Sequence, residues 1–259
     1  MILVCDVGNS ETTLGVYDGE TLRAHWRIMT DVPRTADELG LLLRQLLIDE
    51  GINPTHIDGV SIASVVPRIT GPLTAACRSW LREKPVVLVD GRSKLPITLD
   101  VEEPMTVGAD RIVNTLAASR LFGEDAIVVD LGTATTYDCI TADGVFLGGV
   151  IAPGVLMMAE SLTRKTSKLP ATELQLPKQV IGRRTEECIR AGVMYGAADS
   201  IDGIVRRIKK EWPRDRTPVV VATGGLAEMF KPLCREFNDI DPFLTLRGLQ
   251  IAYNVITSA

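Results

Sequence analysis

The stretch Val4-Cys5-Asp6-Val7-Gly8, close to the start of the chain, is matched by Val128-Val129-Asp130-Leu131-Gly132 in the second half. In both copies an apolar run ends in Asp-x-Gly and continues through hydroxyl-bearing residues into a further apolar run. The two aspartates are 130 − 6 = 124 residues apart in a chain of 259, and at that offset Thr12 falls on Thr136. Such a spacing predicts two duplicated domains, because the repeats of solenoid proteins are much shorter.

Apolar patterning predicts the same order of elements in both halves. Hairpin turns at Asp18-Gly19 and Asp143-Gly144 follow the two Asp-x-Gly turns. In the first half we expect strands at 2–5, 13–17, 22–28, 60–66 and 86–89, with helices that end at Gly51 and near Arg82. In the second half we expect strands at 127–130, 137–141, 145–150 and 219–222, and helices at 155–164, 185–211 and 246–256. The protein is therefore expected to be of the α/β class.

Composition and charge exclude several classes of function. The net charge is -5, whereas a general nucleic-acid binder needs a basic face to release counterions. No apolar run approaches the roughly 20 residues of a membrane-spanning helix, and the N-terminal stretch does not have the basic region of a signal peptide. The five cysteines are scattered without a CxxC pair, which is typical of reduced thiols. We expect a cytoplasmic protein that binds neither nucleic acid nor membrane.

Each Asp-x-Gly turn has the residue types of a phosphate-binding turn. Glycine lets the backbone approach a ligand closely, while successive amide N–H groups and hydroxyls donate to phosphate oxygens. The aspartate can hold a hydrated Mg²⁺ against the same phosphates, because Mg²⁺ keeps several waters and takes only one or two carboxylates. A single turn of this kind is also a common hairpin. Two copies at equivalent positions favour the phosphate interpretation.

A third motif, Ala222-Thr223-Gly224-Gly225-Leu226-Ala227, follows an apolar run and opens a helix. Its glycines leave the strand-to-helix corner without side chains, so either adenosine lies against it or it is an ordinary tight turn. The order of the three motifs resembles that of the acetate kinase, sugar kinase, heat-shock protein and actin superfamily. This resemblance implies two duplicated RNase H-like (actin-like ATPase) domains, each a mixed sheet with flanking helices, with a cleft between them. We place the domains at residues 1–117 and 118–259.

A fourth motif, Val107-Gly108-Ala109-Asp110-Arg111, lies between the two halves. Gly108 breaks an extended segment, and Asp110 begins a helical pattern. An aspartate at a helix start is a normal cap. It is also well placed to accept the proton of a substrate hydroxyl, while the neighbouring guanidinium and the helix N-terminus attract an anion. The residue types alone leave both interpretations open.

Together these motifs closely resemble type III pantothenate kinase, and the likeness runs nearly end to end. The Gly108–Arg111 segment discriminates most, because the phosphate turns belong to the whole superfamily. The resemblance implies ATP-dependent phosphorylation of the primary hydroxyl of pantothenate to 4'-phosphopantothenate, the first step of coenzyme A biosynthesis. It also implies a homodimer with the substrate pocket at the interface. The segments that carry it are 6–10, 108–111, 130–136, 148–154, 182–185 and 222–227.

The resemblance also implies roles for individual residues. Asp110 would be the catalytic base, and Thr185 would contact pantothenate across the dimer interface. Asp130 would hold a monovalent cation, K⁺ or NH₄⁺, and Asp6 would serve Mg²⁺ through water. The pantothenate pocket would be lined by Gly108, Ala109, Asp110 and Arg111. ATP would be bound by Asp6, Val7, Gly8, Asn9, Ser10, Glu11, Thr12, Thr13, Thr133, Gly224 and Gly225.

One position departs from the family pattern. Many members carry a tyrosine three residues before the proline that stands here as Pro104, and this chain has Val101 at that place. An aromatic wall of the pantothenate pocket is therefore expected to be missing, whereas Ser10 in place of the usual threonine keeps its hydroxyl. Two alternatives stay open. A phosphatase of the same superfamily would use both turns, and a non-catalytic regulatory relative would be expected to lose the catalytic residues, all of which are present.

Overall fold

The N-terminal hairpin is the centre of the first of two sheets in the computed structural model, which describes residues 1–258. The first sheet has the order β3-β2-β1-β4-β5. Strands β1, β2 and β3 are antiparallel neighbours, while β4 runs parallel to β1 and β5 parallel to β4. The strands are β1 Ile2–Val7, β2 Glu11–Asp18, β3 Thr21–Met29, β4 Gly59–Ser64 and β5 Val86–Val89.

Two helices cover one face of this sheet and bury its apolar side chains. The first helix begins with a capping box, in which Thr35 and Glu38 satisfy each other's backbone amides. Leu43 of this helix and Leu73 of the next join Leu3 and Cys5 in one buried cluster. The helices of this unit are α1 Ala36–Asp49, α2 Pro67–Leu81, α3 Ala109–Leu121 and α7 Leu244–Thr257; short 3-10 turns lie at Pro54–His56 and Pro104–Thr106, and β6 at Thr98–Leu99.

The second unit, Leu121–Phe243, repeats the plan of the first. Its strands have the order β9-β8-β7-β10-β11, again with three antiparallel neighbours followed by two parallel ones. The duplicated α/β fold expected from the two Asp-x-Gly turns is therefore confirmed. The elements are β7 Ala126–Leu131, β8 Ala134–Ile140, β9 Val145–Pro153, β10 Val219–Thr223, β11 Asp239–Ile240, α4 Val155–Lys165, α5 Thr185–Glu211 and α6 Ala227–Phe230.

The two Asp-x-Gly turns differ in length, which corrects one expected equivalence. In the first hairpin Val7 pairs with Thr12, so four residues form the turn; in the second Leu131 pairs with Thr135, so three do. The structural counterpart of Thr12 is thus Thr135 and not Thr136. Thr12 and Thr135 are both buried. A constant offset of 124 assumes turns of equal length, and the shorter second turn shifts the register by one residue.

The last helix, α7, belongs to the first unit, together with Met1–Arg120. This differs from the expected division into 1–117 and 118–259. Two glycines allow the helix to pack closely: a methyl group at Gly59 would overlap the Tyr253 ring, and one at Gly248 would overlap the Val113 carbonyl. The apolar face of the helix is buried in this unit. Position along the chain assigns the helix to the second half, whereas packing places it in the first.

Candidate functional site

Backbone hydrogen bonds fix the conformation of the first Asp-x-Gly turn. The Gly8 amide donates to the Glu11 carbonyl at 3.0 Å, and the Thr30 amide donates to the Ser10 carbonyl at 2.9 Å. Beneath the turn, the buried hydroxyls of Thr12 and Thr30 are 2.8 Å apart and share a hydrogen bond. Asn9, Ser10 and Glu11 are exposed at its tip. A rigid turn with an accessible backbone is what phosphate binding by amide groups requires.

The fourth motif lies at the same end of the first sheet. A methyl group at Gly108 would overlap Asp110 Oδ1 and would lie 3.5 Å from Cγ1 of Val65. Val65 follows β4, and its amide donates to the Val7 carbonyl at 3.1 Å. The start of α3 and the first Asp-x-Gly turn therefore flank the same strand ends. A side chain at position 108 would displace the Asp110 carboxylate, which occupies the space beside Gly108.

Asp110 is partly buried in the first turn of α3, and its Oδ1 accepts the Arg111 amide at 2.8 Å. Burial raises the pKa of the Asp110 carboxyl, and the Arg111 amide and guanidinium offset part of that rise. The bond to the amide is typical of a residue that stabilises a helix start. A raised pKa in a partly buried carboxyl is also typical of a general base. The two interpretations of Asp110 are thus compatible with one another.

The second Asp-x-Gly turn is set between two strands of the second unit. Asp130 pairs in register with Thr136 on one side and with Thr223 on the other. Gly224 has φ +89°, and a methyl group there would lie 2.5 Å from Asp130 Oδ1 and 2.8 Å from the Leu131 backbone. Only glycine fits at this position, both for its backbone conformation and for its contact with the carboxylate. The third motif and the second turn therefore form one structural feature.

The remaining predicted residues of the second unit lie around its loops. A methyl group at Gly154 would overlap the Thr133 carbonyl, so the chain leading into α4 closes on this turn. Gly225, next to Gly224, is exposed. Thr185 is the exposed first residue of α5, and the Arg183 amide before it donates to Glu187 at 2.9 Å. This bond lowers the pKa of Glu187.

The structure brings together two sets of predicted residues, one in each unit. The first contains the Asp6–Thr13 turn and Gly108–Arg111; the second contains Asp130, Thr133 and Gly224. Val101, the expected departure from the family pattern, is partly buried just before the 3-10 turn. Sequence reasoning missed Thr30, which supports the first turn from below, and Thr223, which lies beside Asp130. Only Thr223 carried a signal, because it directly precedes the two glycines of the third motif.

Within residues 1–258 no group of three or more His, Cys, Asp or Glu side chains is arranged to hold a metal ion. Among the same residues, no helix has both the length and the apolar character that crossing a membrane requires.

The sequence model of the type III pantothenate kinase family matches residues 2–207. Two type III pantothenate kinases, from Moorella thermoacetica and Acidothermus cellulolyticus, are each 44% identical to the chain, and each alignment covers 98% of both sequences. The solved ROK hexokinase of Thermus thermophilus has a TM-score of 0.52 at 14% identity, covering 100% of this chain and 99% of its own. That likeness shows the sugar kinase fold expected from the order of the motifs. The chain belongs to the type III pantothenate kinase family.

Proposed function

We propose that this chain transfers a phosphoryl group from ATP to the primary hydroxyl of pantothenate, giving 4'-phosphopantothenate in the first step of coenzyme A biosynthesis. Its relatives, 44% identical over nearly the full length, are named for this kinase family. The observation that carries the proposal is the partly buried Asp110 carboxyl at the start of α3, beside the first phosphate turn. The phosphate turns alone would serve any member of the superfamily.

In this proposal Asp110 is the general base. Its Oδ atom accepts the proton of the pantothenate hydroxyl as that oxygen attacks the γ-phosphorus of ATP, and ADP leaves. Phosphoryl transfer depends mainly on positioning and on charge neutralisation, so the other residues bind and orient. Gly108, Ala109 and Arg111 hold pantothenate. The Asp6–Thr13 turn, Thr133 and the Gly224-Gly225 corner bind ATP.

Two cations complete the proposal. Asp6, at the end of β1, holds Mg²⁺ through water, and Mg²⁺ neutralises phosphate charge when bound. Asp130 holds a monovalent cation, K⁺ or NH₄⁺. The surroundings of Asp130 fit a cation. Its carboxylate occupies the space beside Gly224 that a side chain would otherwise fill, and the buried hydroxyl of Thr223 is on the neighbouring strand. Oxygen atoms of carboxylates and hydroxyls are the ligands that such hard cations prefer.

We further propose that the protein is a homodimer, with Thr185 contacting the pantothenate of the partner subunit. Support comes from an exposed apolar surface on the second unit. A groove of about 460 Å³ between α4 and α5 is lined by Met157, Leu162 and Val193 among others. Ile151 and Leu156 beside it are 66% and 51% exposed. Exposed apolar grooves are often association sites, and most homo-oligomers are twofold dimers.

Met157→Glu tests the dimer, with Leu41→Glu as the matched control because Leu41 is an exposed leucine on α1. Light scattering after size-exclusion chromatography should find Met157→Glu monomeric and Leu41→Glu dimeric. The KM for pantothenate should rise in the monomer, since it would lose the contact from Thr185. A dimeric Met157→Glu protein would contradict this interface.

We also propose the cytoplasm as its compartment. The five cysteines are free thiols, four of them buried, which suits a reducing environment.

ADP release measured with purified protein, ATP and Mg²⁺ tests the catalytic proposal. We expect release to depend on pantothenate and to increase when K⁺ replaces a large organic cation at constant ionic strength. Hydrolysis of ATP at the same rate without pantothenate would identify a phosphatase. No release under any of these conditions would contradict the kinase and favour either a non-catalytic relative or a phosphatase that acts on polyphosphate or an alarmone.

A further inference from the structure

Thr223, the last residue of β10, carries a buried hydroxyl that the fold itself does not satisfy. The residue is 1% exposed, and its Oγ1 has no hydrogen-bond partner among residues 1–258. The buried hydroxyl of Thr12 on the first turn, by contrast, is paired with Thr30. An unsatisfied buried polar atom opposes folding, and most buried polar atoms do have partners. An unsatisfied hydroxyl is a candidate ligand where a charged side chain lies beside it, and Thr223 has Asp130 on the neighbouring strand.

The position of this hydroxyl is set by strand pairing. Thr223 pairs in register with Asp130 on the parallel strand β7, and paired residues on adjacent strands, about 4.8 Å apart, point to the same face of the sheet. The Asp130 carboxylate leans toward the same strand end, because a methyl group at Gly224 would lie 2.5 Å from its Oδ1. Two side-chain oxygens thus share one face at the end of β7 and β10.

The chemistry of this pair favours a cation. A phosphate oxygen beside Thr223 would face the negative charge of Asp130 at short range, which is unfavourable in a buried setting. A cation is attracted by the carboxylate and can take the hydroxyl oxygen as a second ligand. One carboxylate with one neutral oxygen matches a single positive charge. The hydroxyl does not pair with Asp130 directly, which keeps its oxygen available.

We propose that Thr223 Oγ1 is a direct ligand of the monovalent cation held by Asp130. This inference rests on the proposed function, which places the cation at Asp130. It explains why the strand ends in a threonine whose hydroxyl is buried without a partner. It also gives the glycine at 224 a second role, since a side chain there would displace the carboxylate that shares the cation.

Thr223→Val tests the proposal, because it removes the oxygen and keeps the shape of the side chain. Thr223→Ser restores the oxygen. The matched control is Thr74→Val in α2, since the Thr74 hydroxyl is also buried without a hydrogen-bond partner among the described residues. The readout is the melting temperature with Mg²⁺ and a non-hydrolysable ATP analogue, as K⁺ replaces tetramethylammonium at constant ionic strength.

We expect K⁺ to raise the melting temperature of the wild type, of Thr223→Ser and of Thr74→Val, starting at the same K⁺ concentration in all three. For Thr223→Val the K⁺ concentration at which the melting temperature begins to rise should be roughly 10–100-fold higher, the range seen when a metal site loses a supporting group. Without K⁺, Thr223→Val should melt no lower than the wild type, because it loses an unsatisfied polar atom.

An unchanged onset of the K⁺ effect in Thr223→Val would overturn the proposal, and a raised KM for ATP alongside it would assign the hydroxyl to the nucleotide. A wild type that does not respond to K⁺ would overturn both this ligand and the cation at Asp130. Pantothenate-dependent ADP release is measured separately, so it tests the kinase activity independently of the cation site.

Discussion

At the scale of single residues, burial of the charged Asp110 carboxylate opposes folding, although the same charged form is the one that acts as the proposed base. Burial raises the pKa of its carboxyl, so the charged form that a base requires is the form that folding disfavours. Asp110→Asn removes the base and the buried charge together. We expect the rate of ADP release to fall about 10²–10⁴-fold while the melting temperature at neutral pH stays level or rises. A folded Asp110→Asn protein with full activity would refute this role.

The raised pKa of Asp110 also predicts a dependence on pH. Since the base must be ionised, kcat/KM should fall as the pH is lowered, with a midpoint above about 3.9, the ordinary value for aspartate. The contribution of Asp110 to folding stability changes in the opposite direction and increases as the pH is lowered. The protonated carboxyl favours folding, and this contribution is complete below the unfolded pKa and is lost as the pH rises through the folded pKa.

Wild type and Asp110→Asn should therefore become more alike in unfolding free energy as the pH falls. Denaturant titrations of both proteins across the acid range measure this difference. A gap that widens toward acid would mean that the folded pKa of Asp110 is lowered and not raised.

At the scale of elements, the first Asp-x-Gly turn depends on the bond between the Thr12 and Thr30 hydroxyls, which are 2.8 Å apart and buried. Thr30→Val leaves the Thr12 hydroxyl without its partner, which costs about 1–3 kcal/mol. The KM for ATP should rise, because the turn that positions its amides loses its support. Urea unfolding and steady-state kinetics measure the two effects.

A double variant, Thr12→Val with Thr30→Val, distinguishes this bond from simple packing. Because both hydroxyls are then absent, no buried polar atom is left unpaired, and the loss in unfolding free energy should be smaller than the sum of the two single losses. Additive losses would show that the two hydroxyls act independently.

The sequence predicts the regular elements well where periodicity is strong. The strand Val86–Val89 and the long helix Thr185–Glu211 have the expected bounds. The register of the second hairpin does not follow from residue types, because turn length depends on which carbonyl accepts the glycine amide. Gly8 donates to Glu11, three residues on, whereas Gly132 donates to Ala134, only two residues on. The one-residue difference is a property of backbone geometry.

Within the candidate site, sequence motifs identify residues but not their neighbours. Asp130 and Thr223 are 223 − 130 = 93 residues apart and become adjacent only through parallel pairing. Parallel pairing between distant segments leaves no local pattern. Thr30 likewise lies outside every motif, and its contact with Thr12 follows from the β2–β3 hairpin bringing β3 back beneath the turn.

At the scale of the whole chain, the duplicated sheets are built from consecutive segments but the first unit is completed only by the last helix. Helix α7 buries Leu244, Leu246 and Leu249 in the first unit. A protein ending at Phe243 would expose the surface that these side chains cover. At roughly 1.5–3 kcal/mol for each buried side chain, the loss rivals the usual total stability of about 5–15 kcal/mol. We expect the truncated chain to aggregate or to unfold without a cooperative transition.

Circular dichroism during heating checks this, with a chain that lacks only residues 258 and 259 as the control. The control should melt like the wild type. A cooperative transition in the chain ending at Phe243 would show that the first unit folds without α7.

The central claim is that Asp110 directs phosphoryl transfer from ATP to pantothenate. The most direct measurement quantifies ADP and phosphorylated pantothenate together, by mass spectrometry, in reactions of the wild type and of Asp110→Asn. We predict one phosphopantothenate for each ADP, with both products lost together in the variant. ADP without phosphopantothenate in the wild type, or undiminished phosphopantothenate in a folded Asp110→Asn protein, would contradict the claim.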